Sequence, residues 1–127
     1  MGYAFMRNYK KLEIWEISKN LSIKIYGITN GFPTHEVYGL TSQIRRAAIS
    51  IPSNIAEGSG RNSNPDFAKF LDIALGSLFE LETQLIISCE LKYINEVSLL
   101  KLNEEIEICR RKMINFLKFI RSKPQST

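Results

Sequence analysis

Pro52 stands inside a run whose apolar residues, Leu40, Ile44, Ala47, Ala48, Ile51 and Ile55, recur with helical spacing. A proline within a helix removes one backbone donor and presses its ring on the preceding turn, at a cost of about 3 kcal/mol. The stretch from Tyr38 to Arg61 must therefore bend there or supply other partners for the freed carbonyls. Ser50, Ser53, Asn54 and Glu57 are the polar groups at hand. They support two readings: a kinked core helix whose hydroxyls and amide repair its own backbone, or a polar segment in contact with a partner chain or ligand. Under either, the remaining helices pack on this one.

Those helices are marked by their own periodicities. After a loose lead-in over residues 1–8, Leu12, Trp15, Leu21, Ile25 and Ile28 form one stripe between about Lys10 and Thr29. Ile14, Ile17 and Ile23 widen it, which points to neighbours on two sides, in a bundle or across a subunit boundary. Trp15 is read as a core anchor. Asn30-Gly31-Phe32-Pro33 ends that helix, with Phe32 folding back as an apolar plug. The second helix starts at Thr34 or between residues 37 and 41, and Gly58 to Gly60 stop it. Asn64 is the expected N-cap of the third helix and Pro65 its first residue. From there Phe67, Phe70, Leu71, Ala74, Leu75, Leu78, Leu81, Leu85 and Cys89 step by threes and fours down one face. Gly76 and Ser77 interrupt it with small residues, read as the close approach of another helix. A break at Tyr93 to Glu96, capped by Asn95 or Ser98, precedes a fourth helix to about Ser122 with Leu102, Ile106, Cys109, Met113, Phe116, Leu117 and Ile120 on its stripe. Lys123-Pro124 closes the ordered part and residues 125–127 fray. The pattern predicts an all-α, antiparallel up-down-up-down four-helix bundle with helix two kinked near Pro52, a single domain over residues 1–127 ordered from about 8 to 122. At 127 residues such a domain buries roughly two-thirds of its unfolded surface, enough for a core without disulfides or metals.

Catalytic constellations are absent from the sequence. No nucleophile elbow, zinc-binding helix, P-loop or dinucleotide fingerprint occurs, and His35, the one histidine, has no nucleophile motif beside it. Cys89 and Cys109 lie on apolar-periodic stretches without metal-ligand spacing and read as buried free thiols. Glu80, Glu82, Glu104, Glu105 and Glu107 lack the Glu-x-x-His partners that a di-iron bundle needs. Glu57, Glu80, Thr83 and Gln84 are instead read as hydrogen-bond partners for Gln43, Arg45 or Arg46. The expectation is a protein without catalytic residues, cofactor or metal. Without an apolar run of membrane-spanning length or a signal peptide, it is also expected to be cytoplasmic, with no membrane partner.

Charge carries the remaining signal. The net value of +4 is modest, but from Arg110 onward there are six basic residues and no acidic one, whereas Glu96 to Glu107 holds four acids. That polarity suits a helix macrodipole. It also suits phosphate binding by basic helices, for which Arg45, Arg46, Arg61, Arg110, Arg111, Lys118 and Arg121 are the candidates.

Tyr38 to Arg61 (YGLTSQIRRAAISIPSNIAEGSGR), followed by Phe67 to Leu85 (FAKFLDIALGSLFELETQL), resembles the bacterial four-helix-bundle proteins encoded in 23S rRNA intervening sequences. Leu12-Glu-Ile-Trp15 and Ile25 to Thr29 through Phe32-Pro33 match as well, so the likeness spans about residues 5–120. It implies a small antiparallel bundle that assembles into a ring-like homopentamer. It also implies kinship with the accessory variability protein of diversity-generating retroelements, a basic pentamer that binds a reverse transcriptase and nucleic acid. By this analogy Arg45, Arg46 and Arg61 become RNA contacts, and Ser50, Ser53, Asn54 and Glu57 structural or interface groups, with Gln43 beside them. In a ring, each modest basic patch is repeated by symmetry and avidity multiplies it. Two functional expectations follow: an oligomeric protein associated with RNA or an RNA–protein complex, or a scaffold for a polypeptide partner whose cations serve solubility alone.

Overall fold

Leu12 fixes where the first long helix begins. It is buried in an extended conformation (φ −82°, ψ 128°), which separates a short 3-10 turn, Tyr9–Lys11, from α1, Glu13–Thr29. The helix thus starts three residues after Lys10. It is followed by a second 3-10 turn, Thr34–Glu36, and by α2 (Leu40–Ser59), α3 (Asn64–Glu90) and α4 (Glu96–Ser122). This is a computed structural model that describes residues 7–123, and among those residues there is no β-strand. Residues 1–6 of the expected loose lead-in over residues 1–8, the closure at Pro124 and the frayed tail lie outside them.

Cross-helix contacts run end to start. Thr29, at the end of α1, meets Arg45 near the start of α2, and Gly58, at the end of α2, meets Phe67 and Phe70 in the first turns of α3. Asp72 early in α3 pairs with Arg121 at the end of α4. Consecutive helices are therefore antiparallel neighbours, and the four form a bundle. Among neighbouring helices, contact between α2 and α3 is the most extensive and that between α1 and α4 the slightest. One apolar cluster fills the centre, with Leu21, Ile25, Ile44, Ile51, Phe67, Leu78 and Ile106 among its buried members. Of the residues that widen the α1 stripe, Ile14 is buried and Ile17 half-buried, but Ile23 is 65% exposed. Trp15 is not a core anchor: it is half-exposed, edge-on to Tyr9 at 5.2 Å with Lys19 over its ring. An indole at the rim keeps its polar edge in reach of water.

Pro52 lies within an unbroken α2, and the repair of its backbone comes from an unexpected side. The carbonyl that loses its donor is that of Ala48, four residues earlier. Ser22 on α1 supplies the replacement: its Oγ lies 2.9 Å from Ala48 O and 2.9 Å from Ser18 O, one hydroxyl proton serving both acceptors. Asn54 adds a local side-chain bond two residues beyond the proline, donating from Nδ2 to Ser50 O at 2.8 Å and Ser50 Oγ at 2.9 Å. Ser50 Oγ in turn meets Ser77 Oγ of α3 at 2.8 Å. The proline site is thus tied to both neighbouring helices.

Several caps differ from expectation. Ser63, not Asn64, caps α3, its Oγ accepting from Asp66 N at 3.3 Å. Asn64 is buried instead and accepts from Arg7 Nη2 at 3.0 Å, so its carboxamide is committed to a tertiary contact. Asn95 does cap α4, accepting from Ser98 N at 2.8 Å. The start of α2 is set by Glu36, whose carboxylate accepts from Leu40 N at 3.0 Å and from Tyr93 Oη at 2.9 Å. The Leu40 amide first, and then the Tyr93 hydroxyl, hold this carboxyl below the ordinary glutamate range. Phe32 is buried beside the same tyrosine, ring centroids 5.3 Å apart, and plugs that end of the bundle.

The roles of two glycines are exchanged relative to the sequence reading. Gly58 is buried inside α2, where an added Cβ would lie 2.7 Å from Phe70 Cβ and 2.9 Å from Phe67 Cδ1. A Cβ on Gly76 would meet nothing within 4 Å. The close approach of α2 and α3 therefore falls at Gly58, while Ser77, beside Gly76, makes a hydrogen bond across the same pair of helices.

Candidate nucleic-acid interface

The seven cations proposed for phosphate contact separate into two groups. Arg45 is half-buried and bound to the end of α1: Nε donates to Thr29 Oγ1 at 2.8 Å and Nη2 to Asn30 Oδ1 at 3.0 Å, with the guanidinium 4.6 Å from the Tyr26 ring. Those bonds tie the last turn of α1 to the first turns of α2. Arg61 pairs with Glu57 at 2.9 Å and covers the Phe70 ring at 4.6 Å. Arg110 forks onto Glu82 of α3, Nη1 to Oε1 at 2.8 Å, and also pairs with Glu107. These carboxylates hold its pKa above the usual arginine value, Glu82 first, and the Glu107 carboxyl is correspondingly lowered by Arg110. Arg121 pairs with Asp72.

Arg46, Arg111 and Lys118 form the second group. Each is exposed and none has an ion pair among the described residues. Arg111 and Lys118 are seven positions apart, two helical turns, and so lie on one outer line of α4. Arg46 points from α2 between two shallow hollows. One, of about 370 Å³, lies over the first turns of α2 and has Thr41, Ser42, Arg45, Val37 and Ile49 in its walls. The other, of about 270 Å³, lies between α2 and α3 beside Gln43, Ser50, Ser77 and Glu80.

The polar set around α2 behaves differently from its sequence reading. Within the chain, the expected bonds from Glu57, Glu80, Thr83 and Gln84 to Gln43, Arg45 or Arg46 do not form among the described residues. Glu57 takes Arg61, Gln84 turns to Glu80 at 3.4 Å, and Thr83 bonds its own helix at Phe79 O. Each finds a partner four residues away, a reach that costs less ordering than a contact across helices. Gln43 and Ser53 are exposed, whereas Asn54 bonds to Ser50 and Ser50 to Ser77 of α3. Ser22, Thr41 and Tyr93 were not singled out by the sequence. The position of Ser18 and Ser22 on the buried stripe of α1 was the one available signal.

The charge polarity of α4 is used between helices as well as along one. Glu105 pairs with Lys24 at 2.7 Å and Lys112 with Glu13 at 3.2 Å, pinning α4 to α1, the neighbouring helices in least contact. Cys109 is buried, which pushes its thiol up to about 11, and Cys89 is half-buried. Among the described residues no three His, Cys, Asp or Glu side chains gather as metal ligands, and no helix is long and apolar enough to cross a membrane.

An antiparallel four-helix bundle with internally paired charges, a few unpaired surface cations and no assembled catalytic set among its described residues defines the class: a small all-α bundle protein. Residues 10–115 match the 23S rRNA-intervening sequence protein family, and the chain belongs to it. Among solved structures it is similar to a protein of unknown function from the S23 ribosomal protein family of Bacteroides thetaiotaomicron, with a TM-score of 0.76 and 24% identity, over 83% of this chain and 95% of that one. At that identity the likeness shows the fold. No curated protein matches the chain.

Proposed function

We propose that this is a non-enzymatic, cytoplasmic bacterial protein that associates with structured RNA by backbone charge and does so as a homo-oligomer. The observation that carries the RNA reading is the unpaired state of Arg46, Arg111 and Lys118 on a surface where the other candidate cations have found carboxylates or carbonyls. An exposed cation without a partner is free to release counterions from a phosphate. Membership in a family named for 23S rRNA intervening sequences supports the choice of RNA.

The test is the affinity of the purified protein for a structured RNA and a matched DNA across a salt series, with Arg46→Ala and Arg111→Ala/Lys118→Ala variants. Each phosphate contact removed should flatten the log–log salt slope by up to about 1. Arg45→Ala is a poor probe, because it would also break the side-chain bonds that tie α2 to the end of α1. Binding undetectable at low salt would end the RNA reading.

Self-association is supported by the outer side of α3, where Ile73, Phe79, Ile86 and Ile87 are each 44–51% exposed and Gly76 leaves open space between them. Light scattering at micromolar concentration should give a multiple of 14.6 kDa, five-fold for a pentamer. A mass equal to one chain would remove the oligomer and the avidity that comes with it. The same apolar side favours the second reading, a scaffold for a polypeptide, which a stoichiometric partner co-purifying without nucleic acid would support.

A further inference from the structure

We infer that the joint between α2 and α3 is a guanidinium-binding cradle, filled by Arg7 of the same chain and able to exchange it for an arginine presented by another polypeptide. The cradle has four sides. Arg7 Nη1 donates to Arg61 O at 2.6 Å and to Ser59 O at 3.4 Å, and Nη2 donates to Asn64 Oδ1 at 3.0 Å. The guanidinium lies 5.1 Å from the centroid of the Phe67 ring. Its hydrogen-bond partners stand 52 to 57 residues further along the chain, so the contact is tertiary.

The exit of α2 explains why a cation belongs there. Glu57 O and Gly58 O accept from the amides of Gly60 and Arg61, and Ala56 O accepts from the Ser59 hydroxyl. Ser59 O is the next carbonyl, and no backbone amide among the described residues reaches it. It stands at the negative end of a 20-residue helix, where positive charge is favoured. The Asn64 oxygen and the Phe67 ring complete the site from the first turn of α3. A planar fork can serve separate acceptors while stacking on a ring, which an ammonium group cannot do, so the cradle selects arginine over lysine.

Receptor and occupant are held unequally. Ser59, Asn64 and Phe67 are buried, at 2%, 2% and 0% exposed, and belong to the pair of neighbouring helices in most extensive contact. The strap over residues 7–11 has no buried residue; its other attachment is Tyr9 against the half-exposed Trp15, and Leu12 anchors its far end. The bundle thus preforms the cradle, whereas the segment that fills it can open without unfolding the rest. Tethering keeps Arg7 at an effective concentration of about millimolar, so an outside arginine competes when a bound or neighbouring chain presents it at a similar level.

The experiment follows amide resonances and hydrogen exchange in the full chain, for wild type, Arg7→Ala, Arg7→Lys and Arg7→Ala/Asn64→Ala. In wild type the Lys11 and Leu12 amides, bonded to Asn8 O and Tyr9 O, are expected to exchange at least about tenfold faster than the buried amides of α3. Arg7→Ala should speed them about tenfold more, and Arg7→Lys should resemble Arg7→Ala. N-methylguanidinium at about 10 mM should shift the Asn64 side-chain amide and the Phe67 backbone amide of Arg7→Ala saturably, and methylammonium at equal ionic strength should not. Removing the Asn64 acceptor should weaken that binding about tenfold. A short peptide with one glycine-flanked arginine should bind Arg7→Ala at the same residues and wild type at least about tenfold more weakly, releasing the strap amides as it does so. Strap amides as protected as those of α3 in wild type would overturn the latch, because the strap would open only with the bundle. Methylammonium acting like N-methylguanidinium, or no shift at Asn64, would overturn the cradle. Peptide that binds Arg7→Ala but leaves the wild-type strap closed at every concentration would overturn the exchange. If Arg7→Ala does not fold unaided, rescue by N-methylguanidinium and not by methylammonium reads the same site, and absence of rescue overturns it.

Discussion

Replacing Gly58 by alanine is expected to lower the unfolding free energy by about 2 kcal/mol, although alanine is the better helix former by about 1 kcal/mol. The two effects oppose each other and packing wins. The new methyl would sit 2.7 Å from Phe70 Cβ, 2.9 Å from Phe67 Cδ1 and 3.3 Å from Phe67 O. Phe70 Cβ is bonded to the α3 backbone and cannot swing away, so relief requires α2 and α3 to separate. Phe67 is itself fully buried, with its ring 5.8 Å from Phe116 and the Arg7 guanidinium 5.1 Å from its centroid. Overpacking of this kind costs about 3 kcal/mol at the upper end of its usual range, from which the propensity gain is subtracted. Gly76→Ala is the internal control: with nothing within 4 Å of the new methyl, it should gain up to about 1 kcal/mol. Urea denaturation of the two variants gives both signs in one experiment. If Gly58→Ala proved as stabilising as Gly76→Ala, the close approach would not exist.

That pair of glycines shows where the sequence was legible and where it was not. Periodicity alone locates four helices, because burial of one face imposes a spacing that survives any detail of packing. The α3 stripe is an example: Phe67, Leu71, Ala74, Leu78, Leu81 and Leu85 are all buried. A glycine has no such signature. Its meaning depends on what faces it, and the facing residue comes from another helix. The same limit applies to the cations. Arg61 and Glu57 are four residues apart and can be paired from sequence, but Arg110 with Glu82, Arg121 with Asp72, and Arg45 with Thr29 require the register between helices. A candidate interface drawn from charge alone therefore included arginines that hold the bundle together. Arg46, Arg111 and Lys118 remain as its unpaired members.

The proline yields to the same reasoning, and its consequence is measurable. Ser22→Ala is expected to destabilise the protein by about 1–3 kcal/mol, the cost of leaving a buried carbonyl without a donor. Ala48, whose carbonyl is affected, is fully buried. Pro52→Ala should change that cost, because it restores the backbone N–H that would ordinarily serve Ala48 O. In the Pro52→Ala background the Ser22 hydroxyl is redundant for Ala48 and its remaining acceptor is Ser18 O on its own helix, a bond that adds little. A double-mutant cycle should therefore show a coupling of about 1 kcal/mol or more, with Ser22→Ala costing less when the proline is absent. Strict additivity would mean that Ser22 stabilises α1 alone and that the proline is tolerated for another reason. Coupling would mean that a residue on α1 makes a helix-breaking residue on α2 permissible. The second helix would then depend on the first for its continuity as well as for its packing.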